Sequence, residues 1–144
     1  GHDIEASWLM WDAVEALIPE SERAPYRAMC LTLAEATCER AFTDHGMENE
    51  IVEGEVEHTR VWWVQAETIL GFNEAHKLTG DPAWMERLAQ QWEYVKNVIV
   101  DPREGSEWYW STDENGVPTA KPIVEEWKCP YHNGRMCLRM IENA

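Results

Sequence analysis

Five residues, Leu78-Thr79-Gly80-Asp81-Pro82, stop one helix and start another. Glycine takes the left-handed backbone that closes a helix. Aspartate caps the next one with its carboxylate, and proline suits a first helical position, where no N–H is needed. Helical patterning runs on both sides. Thr59 is placed to cap a helix over residues 59–78, with Trp63, Ala66 and Leu70 facing the core. Trp62 points about 100° away from Trp63. After Pro82, the residues Met85, Leu88, Trp92, Val95 and Ile99 recur at helical spacing and read as an inward face. Two long helices joined so tightly must reverse direction, so the chain is built on an antiparallel αα-hairpin.

The remaining elements follow the same rules. Over residues 1–18, Ile4, Trp8, Trp11, Val14 and Ile18 form one apolar stripe, and Pro19 closes the helix. A second helix is expected over residues 25–44, with Met29, Leu33 and Ala36 on one side, His45 as a C-terminal cap and Gly46 as its end. Residues 46–57 read as an acidic connector with short extended pieces. Residues 101–122 are irregular, punctuated by Asp101-Pro102, Glu104-Gly105 and Asn115-Gly116, around a short extended Glu107-Trp108-Tyr109-Trp110. A final helix is expected over residues 130–143, with Met136, Met140 and Ile141 available for packing. The fold class is therefore all-α: five helices, two antiparallel pairs and one unpaired.

The 144 residues suffice for one domain with a real core. A net charge of -15, from 27 acidic and 12 basic residues, argues against nucleic acid or an anionic membrane surface as partner. No run approaches the roughly 18 apolar residues of a spanning helix, and no signal peptide is visible. Cys30, Cys38, Cys129 and Cys137 show no close metal-type pair and suit free buried thiols, which makes the cytoplasm the default location. The nine tryptophans are in large excess. Indoles fill cores, and they also stack on sugar rings. In so acidic a chain, sugar is the ring that indoles lining a cleft would meet.

The densest chemistry lies in Glu126-Trp127-Lys128-Cys129-Pro130-Tyr131-His132-Asn133-Gly134-Arg135. Pro130 fits a helix start, and His132 and Arg135, three apart, share one face. A helix start capped by ordinary polar residues is the plain reading. The functional one is a titratable group held beside a flat polar ligand. His2, three before Glu5, sits at another helix start, where the charged form is disfavoured and a neutral nitrogen stays available as a base. A Gly-His at a chain start can equally be an expression remnant. Gln65 and Glu67 lie among apolar residues, either on a helix buried on two sides or turned into a central cavity. No Gly-x-Gly-x-x-Gly, phosphate loop, His-Glu-x-x-His or EF-hand loop occurs, so no nucleotide cofactor and no dedicated metal are expected. Two histidines, carboxylates and indoles suit removal and return of a proton beside a carbonyl.

These residues resemble the N-acylglucosamine 2-epimerase superfamily, over essentially the whole chain and in order. Residues 1–7 look like its histidine-bearing helix start, residues 60–67 like its double-Trp helix, residues 101–110 like its late loop, and residues 127–135 like its C-terminal catalytic motif. The resemblance implies the last third of an (α/α)6 barrel, with all of residues 1–144 in that one domain. It implies that His2 and His132 exchange protons at C2 of a reducing-end sugar, and that Glu5 supports the first base or the substrate hydroxyls. Trp62, Trp63 and Trp127 would line the sugar subsites, with Arg135 as a polar partner. The sequence most resembles the disaccharide branch, which implies turning a β-1,4-linked glucosyl-glucose into glucosyl-mannose without a cofactor. Mannose isomerases and the N-acylglucosamine enzymes are the nearest alternatives. The family's third histidine and its N-terminal arginine have no counterpart here.

Two readings of other classes stand beside this one. A non-catalytic carbohydrate-binding helical fragment would keep the indoles and tolerate loss of either histidine. A structural or oligomerisation unit would use its Trp stripes against partner chains. Five helices leave inner faces uncovered, so the isolated chain is expected to be inactive, and to need the N-terminal part of the barrel or to self-associate.

Overall fold

The computed structural model describes residues 1–142. Five α-helices carry the architecture: α1 (His2–Leu17), α2 (Ala24–Ala41), α3 (Trp62–Thr79), α4 (Pro82–Tyr94) and α5 (Tyr131–Glu142). A 3-10 turn over Glu20–Glu22 links the first two, and α4 runs on into a π-helical segment, Val95–Ile99. Three two-stranded antiparallel ribbons fill the connections. They pair β1 (Phe42–Thr43) with β2 (Gly46–Met47), β3 (Glu50–Val52) with β4 (Glu55–Glu57), and β5 (Arg60–Val61) with β6 (Ser111–Thr112).

The helix stop and restart is as the sequence requires. Gly80 closes α3 at φ 71°, and the Asp81 carboxylate accepts from the Ala83 N–H at 3.0 Å. Helix α3 packs on α1, α4 and α5, which places it at the centre. Over residues 62–75 it is buried on nearly every side, with the polar Gln65, Glu67, Thr68 and Asn73 among its buried residues. On α1 the expected stripe Ile4, Trp8, Trp11 and Val14 is buried. The two helices approach closely because Gly71 has no side chain: a Cβ there would lie 2.6 Å from the Ile4 side chain.

Several boundaries differ from expectation. Helix α2 ends at Ala41, because Phe42 and Thr43 leave it to pair with Met47 and Gly46. His45 therefore sits in the hairpin turn and caps nothing. Helix α3 starts at Trp62, because Arg60 and Val61 are strand-paired to Thr112 and Ser111. The Thr59 hydroxyl, expected as the cap, donates instead to the Glu57 carboxylate at 2.6 Å. On α4, Leu88 is buried and Val95 and Ile99 beyond it are too, but Met85 and Trp92 are more than a third exposed. All four cysteines are free, yet only Cys30 is buried, and Cys129 and Cys137 are exposed. Pro130 precedes α5, its carbonyl accepting the Gly134 N–H at 2.9 Å. Residue 143, the expected end of that helix, lies outside the described residues. On α5, Met136 is buried, whereas Ile141 is 73% exposed.

The loop after Ile99 is held by a buried Asp101. Its carboxylate accepts from the Arg103 guanidinium, the Arg103 backbone N–H and the Ser106 hydroxyl. The Arg103 hydrogen bonds outweigh the effect of burial and hold this carboxyl well below the usual carboxylate range. A depressed native value stabilises the fold at pH above the unfolded value, near 4, and that stabilisation is lost as pH falls further. Asp101→Asn is therefore expected to lower the thermal midpoint at pH 7 and to flatten its fall on acidification below about pH 4. Melting curves of both proteins across pH check this; parallel curves would rule it out.

Candidate active site

The site is organised around Glu67, a fully buried carboxylate on α3. A buried charge needs partners, and Glu67 has three from two other helices. Trp8 on α1 donates its indole N–H to Oε2 at 2.9 Å. From α5, the His132 Nδ1–H donates to Oε1 at 2.7 Å and Arg135 Nη2 donates to the same oxygen at 2.8 Å. Arg135 Nη2 also reaches Glu5 Oε1 on α1 at 2.9 Å. The guanidinium thus bridges two carboxylates. Its Nη1 donates to the Tyr131 hydroxyl at 2.6 Å, and its carbon lies 4.8 Å from the Trp8 ring centroid. Burial works against the Arg135 charge, but the hydrogen bonds to Glu67 and Glu5 outweigh it and push its pKa up.

His132 gives one ring nitrogen to Glu67. An ionised carboxylate only accepts, so Nδ1 carries the proton and Nε2 is left as the free lone pair. Glu5 Oε1 lies 3.8 Å from Nδ1. Around the imidazole stand Tyr131 (ring centroids 4.9 Å apart), Trp63 (5.4 Å) and Trp62 (6.5 Å). The two neighbouring indoles reach one imidazole although they leave the helix about 100° apart. His2, exposed in the first turn of α1, packs on Trp63 with centroids 4.9 Å apart. Trp63 therefore touches both predicted histidines. Trp62 is 3% exposed and meets Trp110 at 4.9 Å, while Trp110 donates to Glu125 at 2.8 Å.

Of the predicted residues, His2, Glu5, Trp62, Trp63, His132 and Arg135 form one connected group. Trp127 does not join it: its indole is 79% exposed on the loop before α5. Glu67, the hub, is the residue the site prediction left out. Its signal is a carboxylate set among apolar residues in the first half of α3. Among the described residues, Glu5, Glu67 and His132 offer ligand atoms within 4.8 Å of one another, a spacing a cation could use. Arg135 already lies against both of those carboxylates, so a resident positive charge meets them.

The chain belongs to the N-acylglucosamine 2-epimerase (GlcNAc 2-epimerase) family, whose pattern matches residues 1–134. It is 41% identical over 142 residues to a cellobiose 2-epimerase of Dictyoglomus turgidum, covering 99% of this chain and 36% of that protein. With a cellobiose 2-epimerase of Ruminococcus albus the identity is 42% over 142 residues, covering 98% and 36%. Among solved structures, a sugar epimerase from a ruminal bacterium matches with a TM-score of 0.95 at 41% identity, over 99% of this chain and 37% of the other. The cellobiose 2-epimerase of Bacillus thermoamylovorans B4167 matches at 0.91 and 40% identity, again over 99% and 37%. A D-mannose isomerase shares the fold at a TM-score of 0.86 and 21% identity. The fold is thus all-α and forms part of an (α/α)6 barrel. The chain spans little more than a third of the length of these relatives.

Proposed function

We propose that this chain is the C-terminal part of a sugar 2-epimerase acting on the reducing-end glucose of cellobiose-type β-1,4 disaccharides. The observation that carries this is the His132 imidazole, held by the buried Glu67 through Nδ1 and left free at Nε2. In the open-chain sugar the proton on C2 lies beside the C1 carbonyl. Neutral His132 Nε2 accepts that proton, the C–H electron pair becomes the C1=C2 double bond, and the carbonyl π pair moves to the C1 oxygen, giving an enediol-like intermediate. An imidazolium on the other face, assigned to His2, returns a proton to C2, and the ring closes. Glu67 stabilises the charge on His132, while Arg135 keeps Glu5 and Glu67 from repelling one another. Trp63 flanks the imidazole as an apolar wall for a sugar ring, the buried Trp62 backs that wall, and Trp127 supplies an outer stacking surface.

Only this chain's residues act in the scheme; it needs no cofactor. The acidic surface suits neither nucleic acid nor an anionic membrane, and among the described residues no helix is long and apolar enough to cross a membrane. Four free thiols fit a reducing compartment, and we place the protein in the cytoplasm. The wider partner is the remainder of the barrel.

The test is direct. The full-length protein, incubated with cellobiose in deuterated water, is expected to form glucosyl-mannose carrying deuterium at C2. The 144-residue chain alone is expected to be inactive. Turnover on N-acylglucosamine or mannose but not cellobiose would move the enzyme to a sister branch. Sugar binding with no C2 exchange would leave a binding fragment.

A further inference from the structure

We propose that Lys128 and Glu107 are positioning residues that aim His132 and the Trp62 wall beside it; this rests on the proton-exchange reading above. Lys128 is 1% exposed. A lysine on a connecting segment ordinarily sends its ammonium to water along a flexible stem. Here the ammonium is turned inward, against the Glu107 carboxylate and 5.4 Å from the Trp62 ring centroid. Removing an ammonium from water is costly, and an ion pair seldom recovers more than that cost. Net stability is therefore a poor reason for this lysine. Geometry is a better one.

Glu107 has two oxygens and uses both. Oε2 takes the Lys128 ammonium, and Oε1 takes the Asn133 side-chain N–H. Lys128 and Asn133 bracket the four residues that end in His132. One carboxylate thus clamps both sides of the start of α5 with charge-assisted hydrogen bonds. Lys128 is itself pinned, its N–H bonded to the Glu125 carbonyl at 3.1 Å and its carbonyl accepting the Glu125 N–H at 3.2 Å. The Glu125 side chain holds Trp110, which packs edge-on to Trp62. Residues 107–110, the 125–128 turn and the first turn of α5 form one unit. His132 is then fixed twice, through its ring by Glu67 and through its helix by Glu107. Rotation of that helical turn about its axis, which would swing Nε2 away from C2, is blocked.

The test uses Glu107→Gln, Lys128→Met and the double variant in the full-length protein. Methionine matches the lysine stem in volume, and the double variant removes both charges, so no buried ion is left unpaired. Each of the three is expected to lower kcat by about tenfold or more while changing KM less than about threefold, as for loss of alignment rather than of binding. Near-normal kcat in a folded single variant overturns the proposal. So does recovery in the double variant, because the pair would then only neutralise itself. A second readout needs no turnover: the His132 Nδ1–H resonance, observed in selectively labelled protein. It is expected to weaken or disappear in all three variants, and an unchanged signal also overturns the proposal. If the wild-type protein epimerises no sugar, the functional reading fails, and this resonance still decides the positioning.

Discussion

Replacing His132 by Asn in the full-length protein is expected to lower epimerising turnover by ~10²-fold or more, with loss of exchange of the glucosyl-glucose C2 proton into solvent. Asparagine keeps a polar group that can bond Glu67 but cannot carry a proton. His2→Asn is expected to act differently. Epimerisation takes a proton from one face of C2 and delivers one to the other, and a single fixed base is poorly placed for both. A variant that has lost one histidine can still exchange the C2 proton of one epimer from the remaining face while forming little of the other epimer. Following deuterium incorporation from each epimer separately therefore assigns the faces. Either variant keeping near-normal exchange and epimerisation would remove that histidine from the chemistry.

Glu67 should be the more damaging position for the fold as a whole. Glu67→Ala leaves Arg135 with Glu5 and the Tyr131 hydroxyl, and leaves the Trp8 N–H and His132 Nδ1 without their acceptor. Breaking a buried charge pair by removing one partner costs about 3–5 kcal/mol. Glu67→Gln keeps the volume but not the charge. It is expected to fold and to lose roughly 10²-fold in turnover, because the amide no longer stabilises an imidazolium. Denaturant unfolding beside the epimerase assay separates the two effects. Full activity in Glu67→Gln would mean that the carboxylate is only a structural anchor.

What could be read from the sequence, and what could not, divides by the range of the interaction. Gly80-Asp81-Pro82 encodes its turn locally, and the turn is there. The α1 stripe at helical spacing needs only an apolar neighbour, and α3 supplies one. The misplaced start of α3 is set by a distant partner, and the misplaced end of α2 by a short hairpin. Thr59 has every local qualification for a cap, but Arg60 and Val61 are claimed by a strand fifty residues later in the chain. The end of α2 yields to a two-residue ribbon whose sequence carries no strand pattern. Most of the candidate site was legible because histidines, indoles and Arg135 are conspicuous. Glu67 stood out only as a carboxylate among apolar residues, not as the hub, and Lys128 did not stand out. Charged residues normally face water, and only the packing of α1, α5 and the 101–110 loop around them makes them interior.

The three-helix grip on Glu67 bears on how such barrels can be recombined. Its partners come from α1 and α5 and its own side chain from α3, so this stretch of chain carries one indivisible set of contacts. A chimera whose junction falls between residues 8 and 135 would take parts of that set from different parents. It would inherit a mismatched hub unless both parents supply the same four groups. A junction ahead of α1 exchanges the set intact. Shuffling libraries built from this family should thus place no junction within residues 2–135 and put their diversity upstream or on the exposed β3 strand.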